Sequence, residues 1–60
     1  MTIRPHQIRA LRLFKGWKQR DLAERLTVNR VTVSNWERGA TYPAPYHVRQ
    51  LQDMIAALQD

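Results

Sequence analysis

One stretch in the middle of the chain, Gln19 to Gly39, leaves few ways to fold it. It reads QRDLAERLTVNRVTVSNWERG. Leu22, Ala23 and Leu26 recur at the spacing of one helical face. Residues of turn character follow, and Val33 and Trp36 then stand at i, i+3 on one face of a second short helix. Ala23 is small where the second helix must cross closely over the first. Val28 is the one apolar residue of the turn, placed to plug the angle between the two helices.

Two brief helices joined by so short a turn form a helix-turn-helix. The rest of the chain must serve as its support. Sixty residues make at most one domain, 1–60. A chain of that length buries little surface and is marginal alone unless well idealised or dimeric. With no Cys there is neither a disulfide framework nor a thiolate metal site. His6 and His47 are isolated and are expected at the surface near helix starts, so no metal and no cofactor is expected. No apolar run approaches a membrane span and no signal-peptide pattern opens the chain. A cytoplasmic location follows as the expectation, in the bacterial nucleoid or, for a phage-encoded protein, in its host. Ten Lys and Arg against five acids give a net charge of +5 and a pI near 10.8. That balance points to a polyanionic partner.

Thr2 to Lys15 reads as the first helix, with Pro5 in its first turn, where a missing N–H costs nothing. Ile8, Leu11 and Phe14 make its apolar stripe, with Arg12 at the edge and Leu13 pointing elsewhere. Gly16 fits the left-handed position that ends a helix, and Trp17 anchors the connection as a core aromatic. Lys18 to Leu26 is the second helix. Asp21 and Glu24 suit its N-terminal dipole. Asn29 caps a third helix that runs to about Arg38.

At about 100° per residue the faces of that third helix separate. Arg30, Val31, Ser34, Asn35 and Arg38 share one side, and Val33 and Trp36 the other. An apolar face for the core opposite an Arg/Asn/Ser face is what major-groove reading needs. Arg30 can donate twice to guanine, Asn35 can pair with adenine, Val31 suits a thymine methyl, and Ser34 can serve base or backbone. Ala40 to Ala44 is a loop. Pro45 opens a last helix whose stripe is Val48, Leu51, Met54, Ile55 and Leu58. That stripe is expected to cover the core and also to present its C-terminal residues, with Leu13, to a second subunit.

The register resembles the helix-turn-helix domain of the phage repressor and Cro family, the XRE-like group. Beyond the central stretch, the resemblance is carried by Leu11-Arg12, Lys15-Gly16-Trp17, Gln19, Glu37-Arg38-Gly39 and Pro43. It implies an all-α, lambda-repressor-like bundle with the helix-turn-helix as its second and third helices. It implies four helices, or five where the last segment divides as it often does in the family, although this chain has room for one long helix there. It also implies a dimer on double-stranded operator DNA, of palindromic sequence. In the family a Glu placed like Glu37 pairs with an Arg placed like Arg12, tying the first helix to the third. Lys18, Gln19, Arg38 and Thr41 match positions that meet the sugar-phosphate chain. Two residues depart from the pattern. Lys18 replaces the usual Ser or Thr cap, which leaves N–H groups open to a phosphate. Thr27 replaces the usual Gly and is strained if its φ is positive. The Pro43-Ala44-Pro45-Tyr46 segment is also similar to small anti-CRISPR-associated regulators, a phage-borne branch of autorepressors.

The leading function is a sequence-specific transcriptional regulator, a dimeric repressor or autorepressor. The alternative is an antitoxin-type DNA-binding protein whose last helix holds a partner protein. An RNA-binding module is disfavoured, because neither Trp lies on the polar face of the third helix. An enzyme is disfavoured further. The chain has no Ser/His/acid constellation and no phosphate-cradling glycine loop. Asp21 and Glu24 form a helix-surface pair, not an acid/base dyad.

Overall fold

Pro5 starts the first helix, its fixed φ matching a first helical position. The computed structural model describes residues 3–58 and has four helices there: α1 Pro5–Phe14, α2 Gln19–Leu26, α3 Arg30–Arg38 and α4 Pro45–Ala57. α4 is one unbroken helix, so the four-helix alternative holds. The first helix begins later than Thr2, which itself lies outside the described residues. The physical reason is Pro5, whose ring pushes the preceding residue out of helical conformation. Arg4 is accordingly extended (φ −93°, ψ 152°). Its backbone N–H donates to Gln7 Oε1 at 2.8 Å.

The second helix is capped from inside. The Lys18 side chain makes no cap hydrogen bond, but the Lys18 backbone N–H donates to Asp21 Oδ2 at 2.8 Å. That is one half of a capping box. At the start of α3, Asn29 Oδ1 accepts from the Val31 N–H at 2.7 Å.

The first three helices end in the same way. Trp17 N–H bonds to Arg12 O, Val28 N–H to Ala23 O and Ala40 N–H to Asn35 O, each at 2.9 Å. Each bond spans a residue in left-handed conformation: Gly16 (φ 71°), Thr27 (φ 58°) and Gly39 (φ 74°). This is the Schellman arrangement, whose residue after the left-handed one tends to be apolar and packed inward. Trp17 and Val28 both pack against the core. Thr27 alone carries a Cβ in that conformation, at a cost of about 1–2 kcal/mol. Glycine removes this strain but loses roughly 0.5–1 kcal/mol of its own through the entropy of the unfolded chain. Thr27→Gly is therefore expected to stabilise the protein by up to about 1.5 kcal/mol, read as a higher urea midpoint. A midpoint below that of the wild type would contradict the strain.

The core is Ile8 and Leu11 of α1, Leu22, Ala23 and Leu26 of α2, Val33 and Trp36 of α3, Leu51 of α4, and Ile3 ahead of α1. α3 packs on α2 and α1, and α4 packs on α1. Two sequence expectations are corrected here. Phe14 does not join the core and is 72% exposed. Successive i+3 steps drift backwards around a helix, so Phe14 stands about 120° from Ile8, beyond the buried side. His47 is buried, not at the surface. Its ring lies 5.5 Å from that of Trp36 and 3.9 Å from that of Tyr46, and its Nδ1 is 3.1 Å from Gln50 Oε1. The first turn of α4 folds over Trp36 and covers it. Trp17 is only half-buried, with the Arg25 guanidinium stacked 4.1 Å from its ring centre.

Candidate nucleic-acid interface

Burial of Val33 and Trp36 turns the opposite side of α3 outward. Arg30, Val31 and Arg38 are exposed on it, and Ser34 and Asn35 are half-buried. Val31 leaves half its surface in water, which is an apolar spot between two arginines. The described acid nearest this face in sequence, Glu37, is held elsewhere.

Glu37 is where three helices meet. Arg12 of α1 donates through Nε to Glu37 Oε2 at 2.8 Å and through Nη2 to Oε1 at 2.9 Å. Its Nη1 donates to the Trp17 carbonyl at 3.1 Å. The two side chains are 13% and 7% exposed. A bidentate guanidinium–carboxylate pair fixes direction as well as distance. The hydrogen bond to Glu37 raises the Arg12 pKa above its ordinary value, with burial opposing. Gln19, at the start of α2, donates through Nε2 to Glu37 Oε1 at 3.4 Å. The pair thus ties the rotation of α3 to α1 and to the N-terminus of α2.

The residues assigned from the sequence to phosphate fall at the helix ends. Lys18 and Arg38 are exposed, and so is Thr41. Thr41 N–H bonds to Asn35 O at 3.5 Å, which holds Thr41 beside the end of α3. Gln19 is half-buried and shares its amide with Glu37. The first turn of any helix also offers N–H groups with no partner inside the helix. The outward side of α3, its C-terminal loop and the start of α2 thus form a surface carrying exposed cations and hydrogen-bond donors. Val48, Leu51, Ile55 and Leu58 belong to α4 and take no part in it. Leu51 is fully buried, and the other three are half-buried against the core.

One contact on this surface was not anticipated. Arg38 Nη2 donates to Asn35 Oδ1, so the two residues act as a unit. Their i, i+3 spacing was the available signal. Among the described residues there is no group of three or more His, Cys, Asp or Glu placed to hold a metal ion. No described helix is long and apolar enough to cross a membrane.

Residues 8–55 match the family model described as "Helix-turn-helix". No curated protein and no solved structure gives a significant match.

Proposed function

We propose that the chain, which belongs to the helix-turn-helix family of DNA-binding transcription regulators, is a homodimeric repressor or autorepressor of an inverted-repeat operator. The observation that carries this reading is the division of α3 into a buried Val33/Trp36 side and an exposed side bearing Arg30, Val31, Ser34, Asn35 and Arg38. In this reading α3 enters the major groove. Arg30 donates to guanine O6 and N7, Val31 lies against a thymine methyl, and Ser34 bonds base or backbone. Asn35 pairs with adenine, its Oδ1 accepting from N6 on the lone pair that Arg38 leaves free while the bond from Arg38 holds the amide in place. Lys18, Gln19, Arg38 and Thr41 hold the sugar-phosphate chain and position the domain without reading sequence. A two-fold dimer sets the half-sites about one helical turn, roughly 34 Å, apart.

The test is selection of binding sites from random duplex DNA, followed by footprinting on the DNA upstream of the protein's own gene. The expected outcome is one enriched inverted repeat, protected in the footprint. Affinity on that repeat should fall steeply with salt, as phosphate contacts demand. A pool that stays random after repeated rounds would rule out sequence-specific binding.

A further inference from the structure

Of the four described helices, α3 alone has an N-cap residue whose side chain bonds to the helix. Asn29 Oδ1 accepts from the Val31 N–H at 2.7 Å. The Asn29 backbone carbonyl accepts from Thr32 N–H at 3.0 Å and from Val33 N–H at 3.4 Å. The cap fixes which way the amide faces. Turned over, its NH₂ would meet the Val31 N–H, donor against donor. Oδ1 therefore sits over the first turn, among N–H groups that have no partner inside the helix. Nδ2, about 120° away in the amide plane, takes no part in the cap. Asn29 is exposed and directly precedes Arg30 and Val31, at the end of a recognition helix that meets base edges. We propose that Asn29 is a further base-reading residue, its locked NH₂ donating to the keto oxygen of guanine or thymine in the major groove, an assignment that rests on the DNA-binding reading above and deepens it.

The chemistry of the amide sets the preference. A cap needs only an acceptor, and Asp or Ser supplies one as well as Asn does. Asn brings a donor in addition, with two hydrogens. In the major groove guanine presents O6 and thymine O4, both acceptors, where adenine presents N6 and cytosine N4, both donors. N7 accepts in both purines and so separates neither from the other. An amide free to turn could serve either class, oxygen to the amino bases and nitrogen to the keto bases. Here the oxygen serves the helix, and the donor end is left for DNA. Adenine or cytosine at that place sets donor against donor and leaves both unpaired, which is how a built hydrogen-bonding site rejects the wrong partner.

The test places each of the four base pairs in turn at every position of a half-site of the selected operator. Affinity is then measured for wild type, Asn29→Asp and Asn29→Gly. Asn29→Asp keeps the cap and turns the outward donor into an acceptor. Asn29→Gly removes the side chain at little cost to the helix, so both variants should melt close to the wild type. At one position, beside the base pair read by Arg30, the wild type should bind guanine or thymine on one strand about tenfold more tightly than adenine or cytosine. Asn29→Asp should reverse that order, since a carboxylate accepts from cytosine N4 and adenine N6. Asn29→Gly should bind all four about equally there. Each ranking is made within one protein, so the general repulsion between a carboxylate and phosphate cancels. If all three proteins rank the bases alike at every position, Asn29 reads none. If Asn29→Gly weakens every duplex by one factor, scrambled DNA included, Asn29 holds phosphate and the proposal is wrong. If Asn29→Asp binds too weakly to measure, the ranking by Asn29→Gly decides alone. A wild type that enriches no sequence at all would overturn sequence-specific binding itself, and this assignment with it.

Discussion

Glu37→Gln should melt roughly 12–24 °C below the wild type. Breaking one member of a buried ion pair costs about 3–5 kcal/mol, because the other is left without compensation. The Arg12–Glu37 pair keeps some contact with water, so about 3 kcal/mol is the appropriate end of that range. In a domain of this size each kcal/mol moves the melting temperature by about 4–8 °C. A single small core supplies only about 3–5 kcal/mol in total, so the variant approaches unfolding at ordinary temperatures. The loss is specific in its chemistry. A glutamine presents an NH₂ where Glu37 Oε2 accepted from Arg12 Nε, or turns and presents it to Nη2, and either way donor meets donor. Arg12→Met/Glu37→Met removes both charges and should melt above Glu37→Gln. It will not regain everything, because the Trp17 carbonyl loses its bond from Arg12 Nη1. Thermal melts by circular dichroism at one protein concentration make the comparison. A Glu37→Gln curve within a few degrees of the wild type would mean that the pair holds nothing.

On the selected operator, Arg30→Ala and Asn35→Ala should each cost about 1–3 kcal/mol, or roughly five- to 150-fold, and cost little on random duplex. Arg38→Ala should behave differently. Loss of a phosphate contact weakens both kinds of DNA and lowers the salt slope by about one per subunit. The bond from Arg38 to Asn35 adds a second effect. Without it the Asn35 amide turns freely, so the operator should lose about 0.5–1 kcal/mol more than random DNA does. The measurement is affinity for operator and scrambled duplex across a salt series, for each variant. An unchanged operator-to-random ratio in Asn35→Ala removes Asn35 from the base-reading set. An unchanged salt slope in Arg38→Ala removes Arg38 from the phosphate anchors. Arg30→Ala and Arg38→Ala acting alike on both duplexes would move Arg30 to the backbone, leaving specificity to Val31, Ser34, Asn35 or the shape of the DNA.

The helices, and their ends apart from the start of α1, were legible in the sequence because the forces that make them are local. Apolar residues at i, i+3 and i+4 define a helical face whatever lies across from it, so Leu22, Ala23, Leu26, Val33 and Trp36 could be assigned to the interior by spacing alone. Asn29 caps α3 through a bond to a residue two positions away, and Gly16 and Gly39 end helices through bonds spanning five. The outward side of α3 was legible for the same reason, since burial of Val33 and Trp36 leaves only one side to face away. Arg12 and Glu37 are 25 residues apart and could be matched only through resemblance to a family. Tertiary structure decided the rest. Phe14 has the spacing of a core residue, yet the drift of its helix carries it past the last neighbour that could cover it. His47 has the chemistry of a surface residue, yet the first turn of α4 lies on Trp36 and buries its ring between aromatics. Thr27 keeps a left-handed φ despite its Cβ, because the Schellman bonds and the packing of Val28 hold the turn against a local preference of only about 1–2 kcal/mol. Periodicity states which residues share a face, but a face becomes interior only when another element arrives to cover it.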